Sequence, residues 1–271
     1  MDGRGVVEES LIRVLVTGAA GKMGREVVKA VTAEPDMTVV AAVDPANVGM
    51  SVDDGQGGTI QLAGDLEAAL AATGPDVMVD FTHPTVVEGN LRTALRAGVD
   101  CVVGTTGLGD DVLGTLVDEA PEQTCLFVAP NFAIGAVLMM RFAQQAARWM
   151  PHVEIVELHH DRKADAPSGT SLRTASLIAA ARGVEPAIPG RETELLDGAR
   201  GALAAGIPVH SVRLPGLVAH QEVLFGGPGQ LLTLRHDSID RTSFMPGVVL
   251  AVRRASELTG LVVGLEHLLG D

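Results

Sequence analysis

Short β-branched apolar runs alternate with amphipathic stretches through the first half of the chain. Leu11–Thr17 is such a run, and it leads through a glycine-rich turn into a helical stretch over Arg25–Val31. Thr38–Val43, Val77–Thr82, Cys101–Gly104 and Cys125–Ala129 read as further strands, with helices over Val86–Ala97 and Val112–Glu119. Short strands alternating with helices predict a parallel, doubly wound sheet. Gly49–Gly64, rich in glycine and carrying Asp53 and Asp54, reads as a loop. After Asn131 the pattern changes. Phe132–Trp149 reads as one long helix, and Val153–Leu158 mixes apolar and acidic positions as a half-buried strand does. Ser168–Ala181 follows as a helix with Leu172, Ala175, Leu177 and Ile178 as its apolar positions. Val184–Ile207 is loop-rich, with Pro186 and Pro189. His210–Leu214, Ala219–Phe225 and Gln230–His236 then read as strands joined by glycine turns, and Ser243–Glu257 as a helix that packs back on the first domain.

The turn after the first strand is Gly18-Ala19-Ala20-Gly21-Lys22-Met23-Gly24. Strand, glycine turn and helix together suit a pyrophosphate, which the glycines allow to approach the helix N-terminus closely. The next strand ends at Asp44, where a carboxylate that binds a ribose 2′-hydroxyl is expected. The spacing is Gly-x-x-Gly-x-x-Gly and not the stricter Gly-x-Gly-x-x-Gly, so an ordinary βαβ turn stays open as a reading. A nucleoside triphosphate loop is disfavoured, because Gly21-Lys22 is followed by Met23 where Ser or Thr is needed. The expected fold class is thus α/β. A Rossmann-like doubly wound domain spans 11–130, completed by 242–271, and an α+β domain with a mixed sheet spans 131–241. Residues 1–10 are expected to form a flexible extension. Phe81-Thr82-His83-Pro84 and Gly104-Thr105-Thr106-Gly107 fall beyond strand ends, where such sheets place ligands, though plain turn chemistry explains each equally well.

The densest chemistry lies in Glu157-Leu158-His159-His160-Asp161-Arg162-Lys163-Ala164-Asp165-Ala166-Pro167-Ser168-Gly169-Thr170, where a strand ends and a helix begins. His159 or His160 can exchange protons near neutral pH, and Lys163 supplies positive charge or a proton. Ser168, Gly169 and Thr170 open the helix, whose N–H groups favour a carboxylate or phosphate. On residue types alone the histidines also read as a polar rim and Ser168 as a simple N-cap. A metal site is disfavoured, since adjacent histidines at a strand end point to opposite sides.

Composition narrows the class. Hydrophobic residues make up 46% and charged residues 20% of 271, which indicates a globular chain. A net charge of −14 argues against nucleic acid or an anionic membrane as partner. An anionic substrate would need a local positive patch, and His159–Lys163 offers one. Cys101 and Cys125, the two cysteines, sit in apolar runs and suit a reducing compartment. No apolar run reaches membrane-spanning length, since Phe132–Met140 is stopped by Arg141. A cytoplasmic location is expected.

These residues resemble the 4-hydroxy-tetrahydrodipicolinate reductase (dihydrodipicolinate reductase) family of lysine and diaminopimelate biosynthesis. The resemblance covers nearly all of the chain after residue 10. Its most specific marker is Glu157–His160 with Lys163 and Asp165–Thr170; the glycine turn, Phe81-Thr82, Gly104–Gly107, Pro130-Asn131-Phe132 and Ser211–Gly216 support it. The resemblance implies that Gly18, Ala19, Ala20, Gly21, Lys22 and Met23 hold the pyrophosphate and Asp44 the adenosine ribose. It places Phe81, Thr82, Gly104, Thr105, Thr106, Ala129, Pro130, Asn131 and Phe132 on the cofactor. It implies that His159 and Lys163 deliver protons, and that His160, Ser168, Gly169 and Thr170 bind a cyclic dicarboxylate. NADH is the expected cofactor, because Asp44 would repel a 2′-phosphate; NADPH is the alternative, with Lys22 in partial compensation. The family also implies a homotetramer built through the second domain's sheets. A different two-domain dehydrogenase acting on an aspartate-derived substrate, and a non-catalytic dinucleotide sensor, are the rival readings. Neither requires the histidines, the lysine and the helix N-terminus together.

Overall fold

The computed structural model describes residues 11–183 and 193–270, so the expected extension over 1–10 and part of the Val184–Ile207 loop lie outside the described residues. Two compact units form, one from the chain up to Phe132 together with the chain from Phe244 onward, the other from Ala133–Ser243. These boundaries fall slightly C-terminal to the expected ones.

The first unit runs β1 (Ile12–Thr17), α1 (Lys22–Ala33), β2 (Met37–Val43), β3 (Ser51–Asp53), β4 (Thr59–Ala63), α2 (Leu66–Thr73), β5 (Val77–Asp80), α3 (Val87–Arg96), β6 (Asp100–Val103), α4 (Asp110–Asp118) and β7 (Cys125–Val128). The second unit holds α5 (Ile134–Ala147), β8 (His152–His159), α6 (Gly169–Arg182), β9 (Ala202–Ala204), β10 (Ile207–Arg213), β11 (Ala219–Gly227) and β12 (Gln230–Ser238). The chain then returns to the first unit through α7 (Met245–Arg254) and β13 (Gly260–Val263).

Among the described residues the first unit's sheet has the order β13-β7-β6-β5-β1-β2-β4-β3, parallel except for the β3–β4 pair. The middles of its central strands are apolar because both faces are covered: Val14, Leu15, Val16, Met78, Val79, Val102 and Phe127 are all fully buried. The helices are amphipathic. α1 buries Gly24, Val27, Val28 and Val31, and α3 buries Val87, Leu91, Ala94 and Leu95, each a stripe at helical spacing. Strand order reverses direction about β1, so the crevice for a ligand opens where β1 and β5 end, at the paired residues Thr17 and Asp80.

Three features differ from the sequence reading. The expected loop at Gly49–Gly64 contains a hairpin, β3–β4, because Val52 and Leu62 bury themselves against the unit while Gly55 and Gly57 take positive φ in the turn. α2, capped by Asp65 accepting from the Ala68 N–H, and the edge strands β9 and β13 were not expected. α1 begins inside the glycine turn, at Lys22, and not at Arg25.

In the second unit the sheet order is β12-β11-β8-β10-β9. β8 runs parallel to β10 and antiparallel to β11, so the sheet is mixed. Val153, Ile155, Glu157, Gln221, Val223 and Phe225 form its buried face.

Candidate active site

The loops after β1, β2, β5, β6 and β7 leave the C-terminal ends of parallel strands in the first unit. After β1, Gly18 takes φ +69°, and a Cβ there would stand 2.7 Å from the Phe81 carbonyl oxygen of the loop after β5. A Cβ on Gly24 would stand 2.2 Å from the Gly18 carbonyl oxygen. Side chains at either position would break the turn, so the glycines make a cradle open to a ligand backbone. Gly21 caps α1 without a side-chain bond, which leaves the first-turn N–H groups of Lys22, Met23 and Gly24 without intrahelical partners. These features fit a pyrophosphate. Ala19 is buried, while Gly21 and Lys22 are exposed. Asp44, at the end of β2, accepts from the Ala20 N–H (3.1 Å) and from the Asn47 amide (2.9 Å), so its carboxyl is already fixed against the glycine turn.

Asp80 organises the neighbouring loops, and sequence reasoning passed over it. Its carboxyl, fully buried, accepts from the Thr17 hydroxyl (2.8 Å), the Thr82 N–H (3.0 Å) and hydroxyl (2.7 Å), the Thr105 hydroxyl (2.8 Å) and the Asn90 amide (2.9 Å). One acid thereby joins β1, α3 and the loops after β5 and β6. The Phe81 ring lies over Gly104, where a Cβ would stand 2.0 Å from it, and 5.8 Å from the Phe132 ring. The Ala129 N–H donates to the Val103 carbonyl, which lays the Ala129–Phe132 segment beside the Gly104–Thr106 loop. Thr106 and Pro130 are exposed, and Asn131 is half-buried. Ala129, Phe132 and the Thr105 hydroxyl are buried, so their part toward a ligand is to shape the wall.

The second cluster lies wholly in the second unit. Residues Glu154 and Glu157 of β8 are three apart and must face opposite sides of the sheet. Glu157 faces inward and is fully buried. Both of its oxygens accept from Arg213 at the end of β10 (2.8 and 2.9 Å), and one also meets Nδ1 of His159. Burial works against the Glu157 carboxylate, yet hydrogen bonds from Arg213, Ser211 and His159 hold its pKa below the ordinary 4.5. For His159 burial prevails and lowers its pKa from 6.5; the Glu157 carboxylate opposes this, while Lys163 and Arg213 add to it. Lys163 follows in the next turn, its ammonium donating to both oxygens of Asp165 (2.7 and 2.8 Å). His160 keeps a buried Nδ1 with no partner among the described residues, a group that a ligand can satisfy.

The helix that follows is pinned from below. The Ser168 hydroxyl accepts from the Ser171 N–H (3.2 Å) and meets the Ser171 hydroxyl (2.6 Å). The Ser171 hydroxyl donates to Gln221 of β11 (3.1 Å), whose amide donates to Thr174 (2.8 Å). The Ser168 side chain, expected on the substrate, is therefore buried and engaged in capping, and what it can present is backbone. Gly169 is exposed, with no atom within 4 Å of where a Cβ would sit. Thr170 follows it in the first turn of α6. No cluster of three metal-ligating side chains occurs among the described residues.

Fold and loops define a class: a Rossmann-type dinucleotide-binding protein with a second α+β unit that carries a histidine–lysine cluster. Comparison with known proteins narrows it. Residues 12–132 match the model for the N-terminus of dihydrodipicolinate reductase, and residues 135–269 match the one for its C-terminus. The chain belongs to the dihydrodipicolinate reductase family. It is 54% identical over 261 residues to the 4-hydroxy-tetrahydrodipicolinate reductase of Mycobacterium sp. (strain KMS), covering 95% of this chain and 99% of that one. It is 51% identical to the enzyme of the same name from Desulfitobacterium hafniense (strain DSM 10664 / DCB-2), covering 95% and 98%. A dipicolinate-bound dihydrodipicolinate reductase from Paenisporosarcina sp. TG-14 superposes with a TM-score of 0.84 at 45% identity, covering 96% and 100%. No helix among the described residues is long and apolar enough to cross a membrane.

Proposed function

We propose that this protein catalyses the NAD(P)H-dependent reduction of 4-hydroxy-tetrahydrodipicolinate to tetrahydrodipicolinate, a step of lysine and diaminopimelate biosynthesis. The observation that carries this reading is the second unit's cluster. A histidine backed by a buried carboxylate, a lysine in the next turn and an exposed Gly169 at a helix start suit a small cyclic dianion that must be protonated. The first unit serves as the dinucleotide domain and the second as substrate and oligomerisation domain. NADH is the preferred cofactor, since Asp44 stands where the ribose 2′-hydroxyl is read; Lys22, exposed in the glycine turn, allows some use of NADPH.

A reduced nicotinamide, when bound, supplies a hydride, here to ring C4. Loss of the 4-hydroxyl with a C3 hydrogen, as water, gives the ring its C3–C4 double bond. Hydride addition at C4 then displaces that bond's electron pair toward the conjugated imine, which makes C3 basic, and C3 takes a proton. His159 delivers that proton, with Lys163 as the second donor. The N–H groups of Gly169 and Thr170 and the ring of His160 hold the ring carboxylates. Lys163 exchanges its Asp165 partner for a carboxylate or reacting atom of the substrate. The lowered pKa of His159 leaves the ring largely neutral in the ligand-free protein near neutral pH. A bound dianion favours the imidazolium, so substrate itself draws in the proton to be transferred. The assembly is expected to be a homotetramer in the cytoplasm.

The deciding experiment couples NADH oxidation to a synthase that makes the substrate from pyruvate and aspartate semialdehyde, and repeats it with NADPH. Oxidation that requires both precursors and the synthase supports the assignment and ranks the cofactors. NADH binding without turnover would return the protein to the rival dehydrogenase or sensor. Clear preference for NADPH would overturn the role given to Asp44.

A further inference from the structure

We propose that Glu157, braced by Arg213, is the positioning residue of this site: it holds His159 with Nδ1 as the donating nitrogen and reserves Nε2 to carry and release the proton. The inference rests on the reading of His159 as proton donor. A carboxylate accepts hydrogen bonds and cannot give one, so the imidazole nitrogen facing it must bear the hydrogen. The neutral ring is thereby confined to one tautomer. Glu157 is itself immobile. It is fully buried on β8, and Arg213 bonds both its oxygens in a planar fork. The same guanidinium donates to the Asp165 carbonyl oxygen (2.7 Å), and the Asp165 side chain holds the Lys163 ammonium. One arginine therefore ties the orienting partner of the first proton donor to the turn that carries the second. The charged groups facing the ring are Glu157 from its own strand, Arg213 from β10 and Lys163 from the turn after β8.

The test reads the ring directly, in the full-length wild-type protein, by long-range proton–nitrogen correlation of labelled histidines, with His159 identified by its loss in His159→Gln. The expected result is the Nδ1–H tautomer for neutral His159; an Nε2–H tautomer overturns the proposal. In Glu157→Gln the midpoint of the His159 titration should fall by about one pH unit or more. In that variant kcat near neutral pH should drop at least about tenfold, and its loss on the alkaline side should begin at lower pH, with NADH affinity unchanged. Glu157→Asp, which keeps the charge, should recover part of both. An unchanged midpoint with unchanged kcat in Glu157→Gln overturns the proposal, and if that variant fails to fold the wild-type tautomer decides alone. A wild-type protein that does not reduce the substrate would defeat the proposed activity, while the tautomer would still decide the positioning of His159.

Discussion

Asp80→Ala should damage the dinucleotide unit more than any other change to a side chain that cannot touch a ligand. The substitution takes the Asp80 acceptor from four side-chain groups, the hydroxyls of Thr17, Thr82 and Thr105 and the amide of Asn90, besides the Thr82 N–H. Thr17 and Thr105 are buried and cannot turn to water; among the described residues the Thr17 hydroxyl retains only a long bond to the Val79 carbonyl (3.3 Å). At about 1–3 kcal/mol for the unpaired Thr105 hydroxyl and about 0.5–1.5 kcal/mol for the bond lost by Thr17, those two alone cost about 1.5–4.5 kcal/mol. A loss of about 3 kcal/mol lowers Tm by roughly 6–12 °C for a domain of this size. The loops after β1, β5 and β6 lose their shared anchor at the same time, so NADH affinity should fall at least about tenfold, or about 1.4 kcal/mol. Asp80→Asn separates shape from hydrogen bonding. One Asp80 oxygen accepts from the Thr82 N–H, which cannot reverse, so the amide oxygen must take that side. Its NH2 group then faces Thr17 and Asn90, and both can adjust by turning a hydroxyl or flipping an amide. The cost should shrink to about 1–2 kcal/mol. Scanning calorimetry with and without NADH, and NADH titration by fluorescence, measure both effects. A Tm change under about 2 °C for Asp80→Ala, with NADH affinity intact, would refute the account.

The other predictions follow from the same geometry. His159→Gln should lower kcat by roughly 10²–10⁴-fold with NADH affinity unchanged, and a fall under about threefold would remove the residue from the mechanism. Lys163→Ala should likewise reduce turnover far more than NADH binding; equal losses would argue against a substrate-side role. Gly24→Ala sets a Cβ 2.2 Å from the Gly18 carbonyl oxygen, so the turn must open and NADH binding should weaken at least about tenfold, as titration would reveal. Glu157 has a folded-state pKa below 4.5, so its stabilising effect is complete above that pH and is lost as pH falls through the folded value. Urea titrations should accordingly find Glu157→Gln less stable than wild type at neutral pH, with the gap closing in acid below pH 4.5; a gap independent of pH would contradict the ion pair.

What the chain made legible is what a single element encodes. The apolar runs of β1, β5, β6 and β7, the amphipathic stripe of α1 and the cap at Ser168 depend on neighbours a few residues away, and their positions follow from the residues themselves. The hairpin at β3–β4 escaped because its apolar residues, Val52, Ile60 and Leu62, are too sparse among glycines and acids to mark a strand before the fold supplies a partner. The residues on which the site's geometry rests are a different matter. Asp80 sits beside Thr105 only because β5 and β6 are adjacent, and Glu157 meets Arg213 only because β8 and β10 pair in a given register. No spacing along the chain encodes those meetings.

One local signal was nevertheless present. Glu154 and Glu157 are separated by an odd number of positions on one strand, so in a sheet with one buried face one of them must be inside. An acid on the buried side needs a donor set, and an arginine is the residue type that satisfies both carboxylate oxygens at once. Ser211-Val212-Arg213 closes a neighbouring strand with such a residue, and His159 lies two positions beyond Glu157, on the same face of β8. An acid out of phase with its strand thus points to a polar partnership before any partner is known. Here that partnership reaches the histidine to which proton transfer is assigned.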